Sequence, residues 1–252
     1  MKFSSLSLLF ATGMVLAASA SAAQSTVTFS DGLTDNWVGR YSGLTGPGGL
    51  GLGTYVDSTL GDDAPSLRTT YNDHLKIGIR YYSDAATYTG DYTKASSVTV
   101  GFDIDTLLMT RGAPTGSPQL VNDLYVDLLD HNDPTETVDA SILSYKIGAV
   151  SQGTGWTHFS VTFDPRAALG DGWSSNSTLS AAQILSNVDE LAFRIDGGPK
   201  SGSTIAYDVA IDNISFNSIA AVPEPGSGVM MLGGLGLLGT VLGLRRRAAR
   251  QA

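Results

Sequence analysis

Short runs of alternating apolar and polar residues dominate the chain between residues 24 and 217, and they predict β-strands. The runs are rich in Val, Ile, Thr, Tyr and Phe, and Gly, Asp, Asn and Pro separate them. No segment of convincing length repeats its apolar residues with the 3.6-residue period of an amphipathic helix. We predict strands over residues 25–29, 76–82, 96–104, 123–129, 142–148, 157–163, 190–196 and 206–216.

Alternation within these runs identifies a buried face and one irregularity. The run 96–104 is apolar on one face, which carries Val98, Val100, Phe102 and Ile104. In the last run, 206–216, the apolar positions change phase after Asn213. Because a strand has a side-chain period of two, this change predicts a bulge or kink at Asp212–Asn213.

A single late segment has helical character, and the other elements favour an all-β fold. Residues 178–188 predict one short helix, with Thr178 or Ser180 as its N-cap. The glycine-rich stretch 43–55 predicts a loop, since its glycines lack the spacing of a phosphate-binding loop. Eight or more short strands with one helix predict a two-sheet jelly-roll β-sandwich.

The two ends of the chain carry targeting patterns in place of strand patterns. Residues 1–23 combine a cation at Lys2, an apolar run and a small-residue cleavage site, which is typical of a signal peptide. Residues 226–244 are uncharged, and a transmembrane helix of that length spans about 28 Å, enough for a bilayer core. Residues 245–252 form a basic tail that is expected on the cytoplasmic side. The folded domain is therefore predicted to occupy residues 24–220.

The C-terminal segment 221–252 adds a third element immediately before the apolar span. Its polar markers are Pro223, Glu224, Pro225, Arg245, Arg246 and Arg247. This order of elements resembles the PEP-CTERM sorting signal of Gram-negative bacteria, whose proteins co-occur with exopolysaccharide production. The resemblance implies an inner-membrane-anchored intermediate, processing by an exosortase-type enzyme, and a final location at the cell surface or in the biofilm matrix. A permanent single-span anchor is the alternative.

Without its two ends the chain is strongly acidic. Residues 24–220 contain 10 Lys and Arg against 23 Asp and Glu, a net charge of −13. Such a surface repels nucleic acid and anionic membranes, so nucleic acid is not an expected partner. The chain contains no cysteine, so a hydrophobic core must hold an exported domain together without disulfides.

The order of motifs within this domain resembles a second family, the laminin B (domain IV) type module. The motifs that carry the resemblance include "VTVGFDID" (98–105), "GWTHFSVTFDP" (155–165), "LSAAQILSNVDELAFRID" (179–196) and "VAIDNISF" (209–216). The resemblance implies a galactose-binding-like jelly roll. It implies no activity, because the module is mainly an extracellular structural one.

Residues for polysaccharide cleavage are not evident, and we predict no catalytic residue. A glycosidase needs two carboxylates that face each other across the scissile bond. The domain has only two glutamates, Glu136 and Glu190, in separate segments. His74, His131 and His158 are isolated, without zinc-binding spacing, and no nucleophile elbow occurs. A Ser-His-Asp triad assembled by folding stays open as an alternative.

Calcium is the favoured ion, because the domain is rich in carboxylates and loop carbonyls. Jelly-roll modules that resemble this one hold a structural calcium where the loop after the first strand meets the final strand. That resemblance implies Asp31 beside Asp212 as ligands, with Asp57 in reach. The alternative is that Asp31 makes a turn and Asp212 is a solvated strand residue.

Aromatic side chains are the candidates for sugar binding, because sugars stack on exposed aromatic faces. The candidates are Trp173, Trp37, Tyr82 and Tyr88, with Trp173 expected in a loop or, alternatively, at the edge of the core. The preferred hypothesis is a non-enzymatic exported protein that binds exopolysaccharide or serves a structural role. The alternative is a secreted polysaccharide-degrading or modifying enzyme on the same scaffold.

Overall fold

The computed structural model describes residues 22–41, 53–62, 65–73, 78–111, 117–118, 121–131, 140–167, 169–170, 172–196 and 205–221. The chain divides into two compact units, and the β-sandwich is the unit from Ser21 to Ala221. The predicted membrane span at 226–244 and the basic tail lie outside the described residues. Within the described part of the chain, no helix is long and apolar enough to cross a membrane.

Thirteen strands, one 3₁₀ helix (Tyr92–Lys94) and one short α-helix make up the described elements. In chain order the strands are β1 (Ala22–Val27), β2 (Val38–Tyr41), β3 (Gly53–Asp57), β4 (Ser66–Asp73), β5 (Ile79–Ser83), β6 (Ala95–Arg111), β7 (Ser117–Pro118), β8 (Asn122–Asp130), β9 (Ser141–Val150), β10 (Thr157–Phe163), β11 (Trp173–Ser175), β12 (Glu190–Ile195) and β13 (Ile205–Ala220). Helix α1 (Ala181–Leu185) lies between β11 and β12.

The strands form two antiparallel sheets that face each other across the core. The first sheet has the order β10-β6-β13-β4-β3, with β1 paired to β13 and β7 paired to β6. The second sheet has the order β11-β9-β8-β12-β5-β2. The predicted all-β jelly-roll sandwich is confirmed, since sequence neighbours such as β4 and β5 lie in opposite sheets.

All eight predicted strands are present, but the prediction missed several others. Strands β2, β3, β4, β7 and β11 were not expected from the pattern. The prediction of a loop over 43–55 is wrong at its end, because β3 begins at Gly53 and pairs with β4. Its residues 43–52 lie outside the described residues. The missed strands are short or polar. Their own alternation does not reveal them, because they form strands through pairing with neighbouring strands.

The predicted bulge in the last strand is confirmed. The register of β13 against β6 shifts between Asp212 and Ser215. Asn213 takes a left-handed backbone with φ of 48°, which asparagine tolerates better than most residues. The extra residue lets β13 pair with β4 before the bulge and with β1 after it.

The core lies between the sheets and is rich in aromatic residues. Trp37, which precedes β2, is 0% exposed and stacks on Phe193 with ring centroids 5.1 Å apart. The Tyr81 hydroxyl of the second sheet donates to the Val209 carbonyl of the first sheet at 2.5 Å. At Gly148 a Cβ would lie 2.4 Å from the Phe159 ring, so only glycine permits this packing.

Helix α1 is shorter than the predicted 178–188 and begins with a capping box. Ser180, one of the two predicted N-caps, accepts from the backbone of Gln183, whose side chain in turn accepts from the Ser180 backbone. The helix buries Ile184 and Leu185 against the core. The segment that connects β11 to β12 therefore contributes to the core through this helix.

Candidate functional site

The outward surface of the second sheet carries a cluster of charged and aromatic side chains. Strands β5, β12, β8 and β9 lie side by side there, and their outward positions carry charged and aromatic residues beside a small apolar group of Leu129, Ala192 and Ile142. We call this surface the polar face and define it by Arg80, Tyr82, Asp123, Tyr125, Asp127, Ser144, Lys146, Glu190 and Arg194.

The centre of the polar face is buried although it points away from the core. Arg80 is 1% exposed, Asp127 is 0% exposed and Glu190 is 2% exposed. Charged side chains are almost never this buried unless they are paired, because taking a charge out of water is costly. The cluster therefore has to be held together by its own contacts.

Asp127 is the hub of the cluster and binds three neighbouring side chains. Its Oδ2 accepts from Nη2 of Arg80 at 2.8 Å and from Nε of Arg194 at 2.7 Å. Its Oδ1 accepts from Nη2 of Arg194 at 3.1 Å and from the Ser144 hydroxyl at 2.7 Å. Four donors from three other strands occupy the carboxylate, so Asp127 positions its neighbours and has no lone pair free for a further partner.

The electrostatics of this hub keep it ionised. Burial alone would raise the pKa of Asp127, but the charge of Arg80 and the hydrogen bond and charge of Arg194 outweigh it and hold the pKa below its ordinary value. For Arg194, burial alone would lower the pKa, but the hydrogen bond and charge of Asp127 outweigh it and raise the pKa. Asp127 and Arg194 therefore stay a charged pair over the physiological range.

A second carboxylate extends the cluster along β12. Glu190 Oε1 lies 4.0 Å from Nη1 of Arg80, so Arg80 stands between the two carboxylates. Glu190 Oε2 lies 3.2 Å from Nε2 of His131, which follows β8 and is partly exposed. The resulting chain of contacts runs from His131 through Glu190 and Arg80 to Asp127.

Partly exposed aromatic and charged groups flank this buried centre. The Arg194 guanidinium lies over the Tyr125 ring, with its carbon 4.3 Å from the ring centroid. On the neighbouring strand, Lys146 Nζ lies 2.7 Å from the Asp123 carboxylate. The flanks thus offer aromatic surface and hydrogen-bond donors that the buried centre holds in place.

The predicted sugar-binding residues divide between this face and the core. Tyr82 lies on the polar face, opposite Ala192 of β12, and is partly exposed. Trp37 and Tyr88 do not fit the prediction, since both are buried in the core, where their rings lie 5.2 Å apart. A buried ring offers no surface on which a sugar can stack.

Trp173 also departs from its prediction, because it begins strand β11 and does not lie in a loop. Its ring contacts Tyr145 of the second sheet at 5.1 Å and Phe163 of the first sheet at 5.0 Å. Trp173 is partly exposed and packs against the core. It therefore closes the open edge of the sandwich, as in the alternative stated for it.

The three predicted calcium ligands have other engagements. Asp31 Oδ1 accepts from the Leu33 backbone at 2.9 Å, which makes Asp31 a turn residue. Asp57 Oδ2 lies 2.8 Å from Arg68 Nη1, so Asp57 is already part of an ion pair. Asp212 is 1% exposed, which contradicts a solvated position.

Burial also shifts the pKa of the Asp212 carboxyl. It raises the pKa of that carboxyl, and the nearby Asp103 charge adds to the rise. Among the described residues, no group of three or more histidines and carboxylates is placed to hold a metal ion. Calcium binding by Asp31 and Asp212, with Asp57 in reach, stays a prediction.

The residues that the sequence analysis missed on this face are the hub and its partners. Alternation in "DLYVDLL" and "ELAFRID" does place Asp127 and Arg194 outward, opposite the buried leucines. Their convergence depends on β5, β12, β8 and β9 being neighbours, which no single strand reveals. Outward charges of opposite sign on different predicted strands are the signal that the sequence offers for them.

Comparison with known proteins identifies the C-terminal segment. Residues 221–247 match the family described as the PEP-CTERM protein-sorting motif. The chain carries a PEP-CTERM sorting signal. The motif implies export, a membrane-anchored intermediate and processing by an exosortase-type enzyme, as the resemblance predicted. Apart from Ala221, its residues lie outside the described part of the chain. No curated protein sequence matches the chain.

Solved structures similar to this chain include carbohydrate-binding modules. The family 11 module from Clostridium thermocellum, in complex with a β-1,3-1,4-mixed-linked tetrasaccharide, is 16% identical, with 82% of this chain and 99% of that chain covered and a TM-score of 0.44. The CBM22-1 xylan-binding domain from Paenibacillus barcinonensis Xyn10C is 11% identical, with 81% and 97% covered and a TM-score of 0.45. Similarity this low leaves the function to be argued from the chain's own residues.

Proposed function

We propose that this chain, with its PEP-CTERM sorting motif, is an exported, non-enzymatic protein whose β-sandwich binds exopolysaccharide through the polar face. The sorting motif at 221–247 supports the destination, because it implies export and processing outside the cytoplasm. The final location is the cell surface or the extracellular matrix. A signal peptide over residues 1–23 and the absence of cysteine fit the same route.

The observation that carries the binding role is the preorganised centre of the polar face. Binding sites for polar ligands need donors and aromatic surfaces fixed before the ligand arrives, because ordering them on binding costs affinity. Asp127 fixes Arg194 with two hydrogen bonds, and Arg194 in turn lies on Tyr125. Tyr82 supplies a second aromatic ring on the same face. Sugar hydroxyls and ring faces match these groups.

The geometry of the two central carboxylates favours binding over catalysis. A glycosidase needs one carboxylic acid with a raised pKa and a second carboxylate free to attack or to activate water. Asp127 has a lowered pKa, is fully buried and is occupied by four hydrogen bonds. It therefore meets neither requirement. The carboxylate of Glu190 is buried beside His131 and Arg80.

A glycan array combined with a turnover assay tests the proposal. Tyr82→Ala and Tyr125→Ala should each weaken retention of the bound polysaccharide by about two- to tenfold, the loss expected for one stacked ring. Tyr55→Ala is the matched control, because Tyr55 is an exposed tyrosine of the first sheet, 43% exposed and off the polar face. Thermal unfolding of each variant separates a binding defect from a folding defect.

The outcomes discriminate between three functions. Retention that is lost with Tyr82 or Tyr125 and kept with the Tyr55 variant supports the binding face. Release of shorter products would establish the enzymatic alternative in place of a binding protein. No retention of any polysaccharide would leave a structural role and refute the proposal.

A further inference from the structure

The cations of the polar face are paired with carboxylates of the same face. Arg80 and Arg194 both bind Asp127, at 2.8 and 2.7 Å. Lys146 binds Asp123 at 2.7 Å. Every pair joins residues of different strands, so the pairing belongs to the folded surface and not to one segment. Positive charge on this face is therefore balanced where a ligand would approach.

This balance determines which polysaccharide the face accepts. A polymer rich in uronate or sulfate groups would have to replace these internal partners, and it would approach a domain of net charge −13 over residues 24–220. An uncharged polymer meets neither obstacle, since its hydroxyls bond to neutral and paired groups and its rings stack on tyrosine. Specificity can arise from such repulsion as well as from attraction.

We infer that the polar face selects an uncharged polysaccharide and that Asp123 is a specificity-determining residue, because it neutralises the exposed cation of the face. The inference rests on the proposed binding function and deepens it. Asp127 has the same neutralising effect at the centre, where both of its arginines are more buried than Lys146. Asp123 is the residue to test, because its side chain is 39% exposed and its replacement does not disturb the core.

The first experiment compares polymers with the full-length protein. A neutral glucan and a polyuronate of equal length are titrated at about 50 mM and about 500 mM NaCl, which bracket weak and strong screening. We expect the neutral polymer to bind at least about tenfold more tightly at low salt. Its affinity should change by less than about twofold between the two salt concentrations, because no net charge is neutralised on binding.

The second experiment removes the counterion from the exposed lysine. Asp123→Asn should raise the affinity for the polyuronate by about two- to fivefold at low salt, the range expected for one exposed ion pair. The gain should disappear at high salt. Asp164→Asn is the matched control, because Asp164 pairs with Arg166, is 40% exposed and lies at the end of β10 in the other sheet. It removes the same charge and should produce no such gain.

The outcomes separate failure of this inference from failure of the proposed function. Tighter binding of the polyuronate by the unmodified protein, weakened by salt, would overturn the inference and keep the binding function. An equal gain in the Asp123 and Asp164 variants would also overturn it, because net charge alone would then set the preference. Binding of neither polymer would refute the proposed function itself.

Discussion

Replacing Asp127 with alanine should strongly destabilise the domain, because it removes the hub of a buried ion cluster. Arg80, only 1% exposed, would keep its charge and lose the Asp127 carboxylate at 2.8 Å, while the Glu190 carboxylate stays 4.0 Å away. Arg194 would lose two hydrogen bonds, and Ser144 would lose one. Breaking a buried pair on one side costs about 3–5 kcal/mol in the free energy of unfolding. For a domain of this size, each kcal/mol lowers the Tm by about 2–4 °C, so we expect a Tm lower by about 6–20 °C.

Thermal unfolding followed by circular dichroism measures this loss, and two variants control its cause. Asp164→Ala removes an exposed carboxylate that pairs with Arg166 and should leave the Tm essentially unchanged. The double variant Arg80→Met with Asp127→Leu replaces the buried pair by apolar groups and should recover part of the loss. An Asp127→Ala protein that unfolds at the wild-type temperature would refute the argument, since loss of the Asp127 carboxylate would then have no measurable cost.

Four further results are expected. Trp37→Ala should lower the free energy of unfolding by about 3–5 kcal/mol in urea titrations, and an unchanged midpoint would contradict its place in the core. The hydrogen bond from Arg68 lowers the pKa of Asp57 from 3.8 to about 2. Asp57 should therefore stabilise the fold fully above about pH 4 and lose this effect as the pH falls towards 2. Asp57→Asn should remove that part of the dependence of stability on acid pH. If the predicted calcium binds, EDTA should lower the Tm and added Ca²⁺ should restore it, and Asp212→Asn should abolish this response. An unchanged Tm in EDTA would refute the calcium prediction. Mass spectrometry of the mature protein should show that the arginine cluster is gone, and an intact cluster would favour the permanent anchor.

Strand alternation predicted the fold well where the strands are long and half-apolar. The run 157–163 coincides with β10, and the phase change at Asn213 located the bulge of β13. Strands β3 and β4 escaped prediction because they contain few apolar residues, so no run of alternating apolar and polar positions marks them. Strand β4 is held by pairing with β13, a long-range contact that local pattern does not encode, and β3 pairs in turn with β4.

The aromatic residues show why the site was harder to predict than the fold. Trp37 and Tyr82 are both large aromatics near strands, yet one lies in the core and the other on the outward face. Both are large aromatic residues, so residue class does not distinguish them. Whether such a ring points into the core or outward depends on the register of the neighbouring strand, and register depends on the partner strand.

The polar face follows from this same dependence on partner strands. The strand sequences give each outward charge a position, but a lone Asp127 or Arg80 predicts only a solvated surface residue. Their burial and pairing require β5, β12 and β8 to be neighbours, although β5 and β12 are separated in sequence by more than half of the domain. A buried charge hub on the outward side of a sheet adds little to stability compared with apolar packing, because desolvation offsets much of the attraction. Its presence is therefore better explained by a requirement on that surface than by the fold. Exposed tyrosines held beside neutralised arginines are what a hydroxyl-rich, uncharged polymer would require of it.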